Sequence, residues 1–516
     1  MASFAEILIW LFSFSAQPPD LLAVVEPKLA LECLGEKTDE EHLRRLVQGL
    51  PPGLSAEALD EKEVKTAIQN LASRSQAVRE SAREKLASFG EAVRARLEAL
   101  VSGDPKRADE AKEILARLDA AKEEAAARRD AARILAIRLG AERKLASLAP
   151  EIEKCAGSED PFLRAASLAA LAAIRGEPVP PAEERPWAGS LQALEALPEA
   201  TRFLLRVAPP VPRADEKPAT PLTVRGIVQT MRFGHPSEDG AEETVREATR
   251  SIVEFAARYG NIRPVAFACA NVGPVGPEGG GIALILTGEY QRAVLERGLS
   301  AEGSGWAREK LGDWNVFSSR GTRIVPLDAH TVLVLPEDAS SGFPLEEYLE
   351  NLKGGKRPLS RTKRWKTFLE TLSGEAVARA LAVTDETLMS RMYEEIEEDA
   401  PGEEIAAAVK GMEEIELDVR RGAEKLAFRL EAAFRTPQNA SALAEFVKAG
   451  IESGTKELES TIEAMGDAPF AKMAKVYLDA MKSIKVVADG KRGVLRGEFD
   501  AGSLGALFSR FLMGMR

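Results

Sequence analysis

The sequence contains few cysteines and few histidines. Its 516 residues include only three of each, and no two cysteines have the C-x-x-C spacing of a metal or redox site. This scarcity excludes a disulfide framework, an iron–sulfur cluster and a cysteine-rich zinc site, and leaves little for a histidine metal cluster. We therefore expect neither a cofactor nor a bound metal ion. The residues concerned are Cys33, Cys155, Cys269, His42, His235 and His330.

The chain also lacks a long apolar run and an excess of positive charge. Its clearest apolar run, at residues 7–14, is well short of the ~20 residues that a membrane-spanning helix needs. The 69 basic and 81 acidic residues give a net charge of -12 at pH 7. We expect no integral membrane segment and no nucleic-acid partner, although a local basic patch stays open.

Residues 1–17 have the outline of a secretory signal peptide. An apolar core (ILIWLFSF) is followed by small residues and then by Pro18, but no lysine or arginine precedes Lys28. One interpretation is an exported protein of the periplasm or cell envelope. The other is a cytoplasmic protein whose first helix packs on the helices that follow.

Residues 18–175 are predicted to be helical and repetitive. Segments that begin at Ser75, Asp104 and Asp160 align over twelve residues, and each opens with a residue typical of a helix N-cap. Arg83 and Lys112 are expected to be exposed. Small residues occupy the eighth position (Ala82, Ala111 and Ser167), and the residues expected to be buried are Val78, Leu86, Leu115, Leu163 and Leu171.

These segments resemble HEAT-type repeats, whose second helix typically begins D-P-x-V-R-x-x-A. Val78-Arg79 and Leu163-Arg164 fit that pattern, and Arg107-Ala108 departs from it. The stretch Glu63–Asp119 also resembles a helical-repeat module of planctomycete-type multidomain proteins. The resemblance implies a curved stack with a protein-binding face. A stack that only caps or spaces the next domain is the alternative.

The second half of the chain reads as strand pairs separated by helices. Each half of this region also has a strand candidate upstream, at residues 224–232 and 376–383. We predict a duplicated α+β module with helices on one face of an antiparallel sheet. The order resembles that of uncharacterised exported proteins of planctomycete-type bacteria, which implies no known activity. The predicted hairpins are 265–271 with 282–287, 322–327 with 331–335, 415–420 with 425–434, and 484–488 with 494–499.

The predicted fold is therefore a multidomain chain, with an all-α HEAT-like solenoid followed by a duplicated α+β module. A proline-rich linker at residues 176–221, containing one short helix at 191–207, separates the two parts. A terminal helix is expected at residues 504–513. The five predicted units are 1–17, 18–175, 176–221, 222–360 and 361–516.

Three stretches could carry chemistry. The Gly279–Gly281 loop lacks the spacing of a phosphate-binding loop and is expected to join two strands. Asp328 and His330 could form half of a general-base pair, but ordinary turn chemistry accounts for them and no nucleophile can be placed beside them. A basic stretch could hold a polyanion, with its indole stacking on a ring. Its residues are Lys353, Lys356, Arg357, Arg361, Lys363, Arg364, Trp365 and Lys366.

We therefore expect a non-enzymatic interaction or scaffold protein that uses the helical stack and the α+β module. Its partner would be another protein, which the sequence does not identify, and its oligomeric state is not predicted. Two alternatives stay open. One is a hydrolase-type enzyme with its site in a cleft between the two α+β copies, and the other is a cell-envelope protein that binds a polyanion through the basic stretch.

Overall fold

The computed structural model shows an α+β protein, with helices in the first part of the chain and one large antiparallel sheet in the second. The predicted signal peptide, residues 179–187 and 209–221 of the proline-rich linker, Gly279, Gly280 and the predicted terminal helix lie outside the residues that it describes. The described residues are 20–49, 61–89, 93–178, 188–208, 223–225, 241–273, 281–301, 304–319, 321–335, 342–372, 376–384, 402–421, 425–465 and 469–500.

The helices begin and end where capping residues allow. Asp160, for example, accepts a hydrogen bond from the main-chain N–H of Phe162 at 2.9 Å, and Gly176 ends the same helix with φ at 70°. Among the described residues up to 178, the α-helices are α1 Pro27–Cys33, α2 Glu40–Val47, α3 Glu61–Asn70, α4 Gln76–Ser88, α5 Arg94–Gly103, α6 Ala108–Glu142, α7 Ala149–Ala156 and α8 Pro161–Arg175.

Residues 61–118, which we call the distal helical unit, have a core of their own. Helix α4 packs against α3, and both α4 and α5 pack against α6. The small residues Ala82 and Ala111 are buried there, as their position in the repeat predicts, because small side chains let neighbouring helices approach closely. The buried members of this core are Val64, Ala67, Leu71, Ala82, Leu86, Val93, Leu97, Ala111, Ile114 and Leu118.

Residues 20–49 and 131–175, which we call the proximal helical unit, share a core with the second part of the chain. Leu135 and Leu31 are buried in the same cluster as Ile252 and Val253 of helix α10 (Ala241–Tyr259). The main-chain N–H of Val224 also donates to the main-chain oxygen of Val24 at 2.8 Å. The predicted boundary at 176–221 therefore lies between helices that share one core.

Two of the five residues predicted to be buried in the repeats are not in the core. Val78 is 39 % exposed and Leu115 is only partly buried, whereas Ile114 is fully buried. The side of α6 that faces the core is defined by Ala111, Ile114 and Leu118, spaced three and four residues apart, and Leu115 lies beside it. In addition, Asp104 caps a turn rather than a helix. Its side chain accepts a hydrogen bond from the N–H of Lys106 at 3.0 Å, and α6 begins three residues later than predicted.

Within the described residues the sheet contains twelve strands, and every neighbouring pair is antiparallel. All four predicted hairpins are confirmed by their register, and the strand predicted at 376–383 has those bounds. The strands are β1 Thr201–Val207, β2 Ile262–Val272, β3 Gly281–Tyr290, β4 Ala307–Leu311, β5 Trp314–Ser319, β6 Thr322–Pro326, β7 Thr331–Leu335, β8 Ala376–Val383, β9 Met412–Arg421, β10 Lys425–Phe434, β11 Lys485–Asp489 and β12 Arg492–Asp500.

The single helix predicted at residues 191–207 is wrong. Helix α9 (Ala188–Glu195) ends before Pro198, because the residue that precedes a proline disfavours the helical conformation. The chain then enters β1, which pairs with β2 on one side and with β8 on the other. Of the strand predicted at 224–232, Val224 and Arg225 form part of a helical turn, and the rest lies outside the described residues.

Outward from the central β1–β8 pair, the strands follow the same sequence order in both directions. One side runs β1-β2-β3-β7-β6 and the other β8-β9-β10-β12-β11, and the first side ends in the additional hairpin β5-β4. Strand β4 was missed in the sequence because four of its five residues (AREK) are exposed and give no apolar alternation. The remaining helices are α11 Arg292–Ser300, α12 Leu345–Lys353, α13 Lys363–Thr371, α14 Glu403–Lys410, α15 Pro437–Met465 and α16 Pro469–Ser483.

The helices do not all lie on one face of the sheet, in contrast to the prediction. Leu204 of β1 packs in the core that α9, α12 and α13 form. Its strand partner Leu381 of β8, and Glu416 of β9 opposite Leu381, lie on this same face of the sheet. Because alternate residues of a strand face opposite sides, Leu417 faces the other way, and it packs with Ala480 of α16. Helix α11 also lies on this second face, because its Leu295 packs with Phe317, whereas the neighbouring Val316 belongs to the first core. Helices therefore cover both faces of the sheet.

Candidate functional site

An open groove of about 720 Å³ runs across the distal helical unit. It is bordered by α3, by α5 and by the turn that precedes α6. Its floor includes the partly buried side chain of Ile68, and the rest of its lining is polar or charged. The lining residues are Glu61, Lys62, Lys65, Ile68, Gln69, Arg96 and Arg107.

Helix α3 presents its cations to this groove because of helical spacing. Val64 and Ala67 are buried in the core of the unit, and they fix which side of α3 faces inward. Lys62, Lys65 and Gln69, spaced three and four residues apart, lie together on another side of the helix and are exposed. The amphipathic pattern of α3 is thus the sequence signal that could have found this site.

The groove is positively charged although the whole chain is acidic. Four of its lining side chains are cationic and one is a carboxylate. Glu61 Oε1 lies 2.5 Å from Arg96 Nη2, and this hydrogen bond raises the pKa of Arg96. Arg107 pairs with Asp104, whereas Lys65 has no ion pair among the described residues. The exposed ammonium group of Lys65 can therefore attract a carboxylate or another anion.

A network of ion pairs stiffens the unit beside the groove. Arg83, predicted as an exposed charge, is only 12 % exposed in its side chain and contacts three glutamates. Its nitrogens lie 2.8 Å from Glu80 and 3.0 Å from Glu110, and it also donates to Glu113. The hydrogen bond from Arg83 lowers the pKa of Glu113. This network joins α4 to α6.

The basic stretch 353–366 is largely engaged within the protein. Lys353 Nζ lies 2.7 Å from Asp313. Arg357 and Arg361 lie 3.2 Å and 3.1 Å from Glu195 and Glu199. These contacts tie the stretch to α9 and to the β4–β5 turn, and the paired cations are partly neutralised.

The aromatic member of that stretch is not available for stacking. Trp365 is 4 % exposed and packs edge-on against Phe368, with ring centroids 5.9 Å apart. Arg364 pairs with Glu414 of β9, and Lys366 lies 4.0 Å from Glu370. Only Lys356 and Lys363 of the predicted polyanion contacts have no ion pair among the described residues.

The Asp328–His330 pair forms a turn. Asp328 Oδ1 accepts a hydrogen bond from the main-chain N–H of His330 at 2.7 Å, so the carboxylate caps the main chain between β6 and β7. The ring Nδ1 of His330 lies 3.3 Å from the main-chain oxygen of Gly288. The hydroxyl of Tyr290 donates to the main-chain oxygens of Asp328 and Thr331, and burial raises the pKa of this tyrosine.

The two halves of the sheet meet strand to strand. At their junction Arg206 of β1 lies opposite Arg379 of β8. Arg206 donates to the main-chain oxygen of Leu372, and burial lowers the pKa of Arg206 to about 10. Arg379 Nε lies 3.6 Å from Asp418. In the described part of the chain, paired strands and two buried arginines therefore occupy the junction at which a cleft was predicted.

Within the described residues, no group of three or more histidine, cysteine or carboxylate side chains is arranged to hold a metal ion. None of the helices described here is both long enough and apolar enough to cross a membrane.

Comparison with known proteins gives no family for this chain. No family model matches it, and no curated protein matches it. Similar solved structures include crystal form III of TP0453, with a TM-score of 0.33 and 13% identity over 61% of this chain and 97% of that chain. Crystal form IV of TP0453 has a TM-score of 0.32 and 13% identity, over 62% of this chain and 99% of that chain. Likeness at these TM-scores carries no argument about fold or function.

Proposed function

We propose that this chain is a non-enzymatic interaction protein whose distal helical unit binds an acidic segment of another protein. The observation that carries the proposal is the groove between α3 and α5, in which four cationic side chains surround Ile68. A partly apolar floor with a cationic rim suits a peptide that combines apolar and carboxylate side chains.

The arrangement of cores supports this assignment. The buried side chains of the distal unit form a cluster separate from the core that the proximal unit shares with α10. The outer face of such a unit can bind a partner without disturbing the core that packs against the rest of the protein. The exposed Val78 adds apolar surface on the same unit. The HEAT-like stack is part of this proposal, because stacked helix pairs form extended binding surfaces.

The duplicated α+β module is the second part of the proposal. Its support is the matching strand order outward from β1 and β8, together with two hairpins in each half that are separated by α11 in the first half and by α15 and α16 in the second. In this proposal the two copies joined edge to edge form a rigid body, and the β4–β5 hairpin is an insertion in the first copy.

A capture experiment tests the groove. Full-length protein on a support is incubated with native extract, alongside Lys65→Glu and the matched control Lys112→Glu, and bound proteins are identified by mass spectrometry. We expect a specific partner that Lys65→Glu loses and Lys112→Glu retains, because both lysines are exposed on the distal unit but only Lys65 lines the groove. Equal capture by both variants would contradict the proposed site.

A further inference from the structure

The two edges of the sheet differ in how they are protected. Strand β4 at one edge carries three consecutive charged residues (Arg308, Glu309 and Lys310), and charges of this kind block pairing with another strand. Strand β11 at the other edge has charges only at its ends, Lys485 and Asp489, around an uncharged centre. The side chain of Val487 in that centre is 57 % exposed.

Among the described residues, the main chain of β11 has hydrogen-bonding groups without a partner, and the register of β12 identifies them. The N–H of Phe434 donates to the main-chain oxygen of Lys491 at 2.9 Å, so Lys491 faces β10. Because the main-chain groups of successive residues point to opposite sides of a strand, Arg492 and Val494 face β11, where they pair with Asp489 and Val487.

The main-chain groups of Val486 and Ala488 therefore point away from β12, toward the open edge. An antiparallel strand centred opposite Val487 would place its own Ala488 beside Val486, and its own Val486 beside Ala488. Each of these two pairs then exchanges both of its main-chain hydrogen bonds. The Val487 side chains form the close, non-hydrogen-bonded pair between them.

The same register matches charge. With Val487 opposite its own copy, Lys485 of one chain lies opposite Asp489 of the other, and the reverse pair forms at the other end. These charges and Val487 lie on one face of the sheet, because they are two residues apart. A strand of sequence KVVAD is thus complementary to itself in the antiparallel sense.

We propose that β11 pairs with β11 of a second copy of this chain, about a two-fold axis at Val487, so that the sheets of two molecules become continuous. The dimer is weak and concentration-dependent, because five-residue strands bury far less area than a stable interface needs. This contact is independent of the groove on the distal unit.

Sedimentation velocity of the full chain from about 1 µM to about 1 mM tests the contact. We expect a reversible monomer–dimer equilibrium that Ala488→Pro abolishes. The proline removes an N–H that points to the open edge, and an edge strand tolerates it there. The matched control is Lys310→Pro, at the equivalent place before the β4–β5 turn, which should dimerise like the original chain. Thermal unfolding of both variants checks that they are folded.

A charge exchange provides the second arm. Lys485→Asp or Asp489→Lys alone places like charges opposite each other and should raise the dimer Kd by about tenfold or more. The double variant Lys485→Asp/Asp489→Lys restores both pairs and should return the Kd to within about threefold of the original.

A chain that stays monomeric throughout the concentration range would overturn the proposal. So would a dimer that persists in folded Ala488→Pro, or one that the double charge exchange does not restore. If the chain stays monomeric but its β11 amides become protected when a synthetic extended peptide of another sequence is added, the edge belongs to a different partner and self-pairing is wrong.

Discussion

The distal and proximal helical units have similar composition but different relations to the rest of the protein. Both use short helices with buried leucine, isoleucine and alanine, and the 35-residue helix α6 runs through both. The proximal unit shares its core with α10, which leads into strand β2 of the sheet. The distal unit keeps a core of ten buried residues to itself and adds a network of ion pairs.

This difference decides which unit has surface available for a partner. A helix pair that buries both sides has little left to offer a partner, whereas a small unit attached through one long helix keeps an outer face. The groove, the exposed Val78 and Lys65, which has no ion pair among the described residues, all lie in the distal unit. We therefore expect equivalent substitutions in the two units to have different effects on stability and amide exchange.

The largest effect is expected in the proximal unit. Leu135→Ala removes a fully buried side chain from the shared core and should lower the free energy of unfolding by about 2–5 kcal/mol. Because that core includes Ile252 of α10, the amides of the sheet should lose protection together with those of α6. Chemical denaturation followed by amide hydrogen exchange measures both. Loss of protection confined to residues 20–49 would contradict the shared core.

The equivalent change in the distal unit should act locally. Ile114→Ala removes a fully buried side chain, and we expect faster amide exchange across residues 61–118 with little change in the strands. Leu115→Ala is the matched control. Leu115 is only partly buried, so its replacement should cost less than half as much. Equal costs for the two variants would contradict the observed register of α6.

The ion-pair network should give a smaller effect. Arg83→Ala removes the cation that contacts Glu80, Glu110 and Glu113, which keep Arg79 and Arg117 as partners. We expect a loss of about 1–2 kcal/mol, seen as a lower unfolding midpoint. Lys112→Ala, in an exposed pair with Asp109, should stay within about 0.5 kcal/mol of the original. If both changes have the same small effect, the network does not stabilise the unit.

The smallest effect concerns pH. The pKa of Glu113 is lowered by Arg83, so the stability that this carboxylate contributes is present above its unfolded-state pKa of about 4.3. It is lost as the pH falls through the lower folded-state pKa. Thermal unfolding between about pH 6 and pH 3 should therefore show a shallower decline for Glu113→Gln than for the original chain. Parallel declines would contradict the stabilising role of the Glu113 carboxylate.

Local pattern was sufficient for much of the sheet. Strand β8 and the four hairpins were predicted because their segments show apolar runs or polar–apolar alternation next to turn residues such as glycine and aspartate. Strand β1 was not predicted, because TRFLLRV fits a helix as well as a strand, and only pairing with β2 and β8 decides between them. That pairing joins residues more than fifty positions apart, which no local window includes.

The candidate site was less predictable than the fold. Charge clustering in the sequence predicted polyanion contacts within residues 353–366. In the structure the cations of this stretch are largely paired with carboxylates from α9, β9 and the β4–β5 turn. The groove instead combines Lys65 of α3 with Arg96 of α5, which are distant in sequence. Helical spacing could identify the cationic side of α3, but not the helix that faces it.

The central claim is tested most directly by comparing partner binding in two variants, each of which reverses two lysine charges. Lys62→Glu/Lys65→Glu reverses two charges in the groove of the distal unit, and Lys37→Glu/Lys154→Glu reverses two exposed charges on the proximal unit. The partner identified in the capture experiment is titrated with each variant to measure the binding affinity. We predict that the distal variant loses affinity by at least about tenfold and that the proximal variant loses no more than about twofold. Equal losses, or a loss confined to the proximal variant, would contradict the assignment of binding to the distal helical unit.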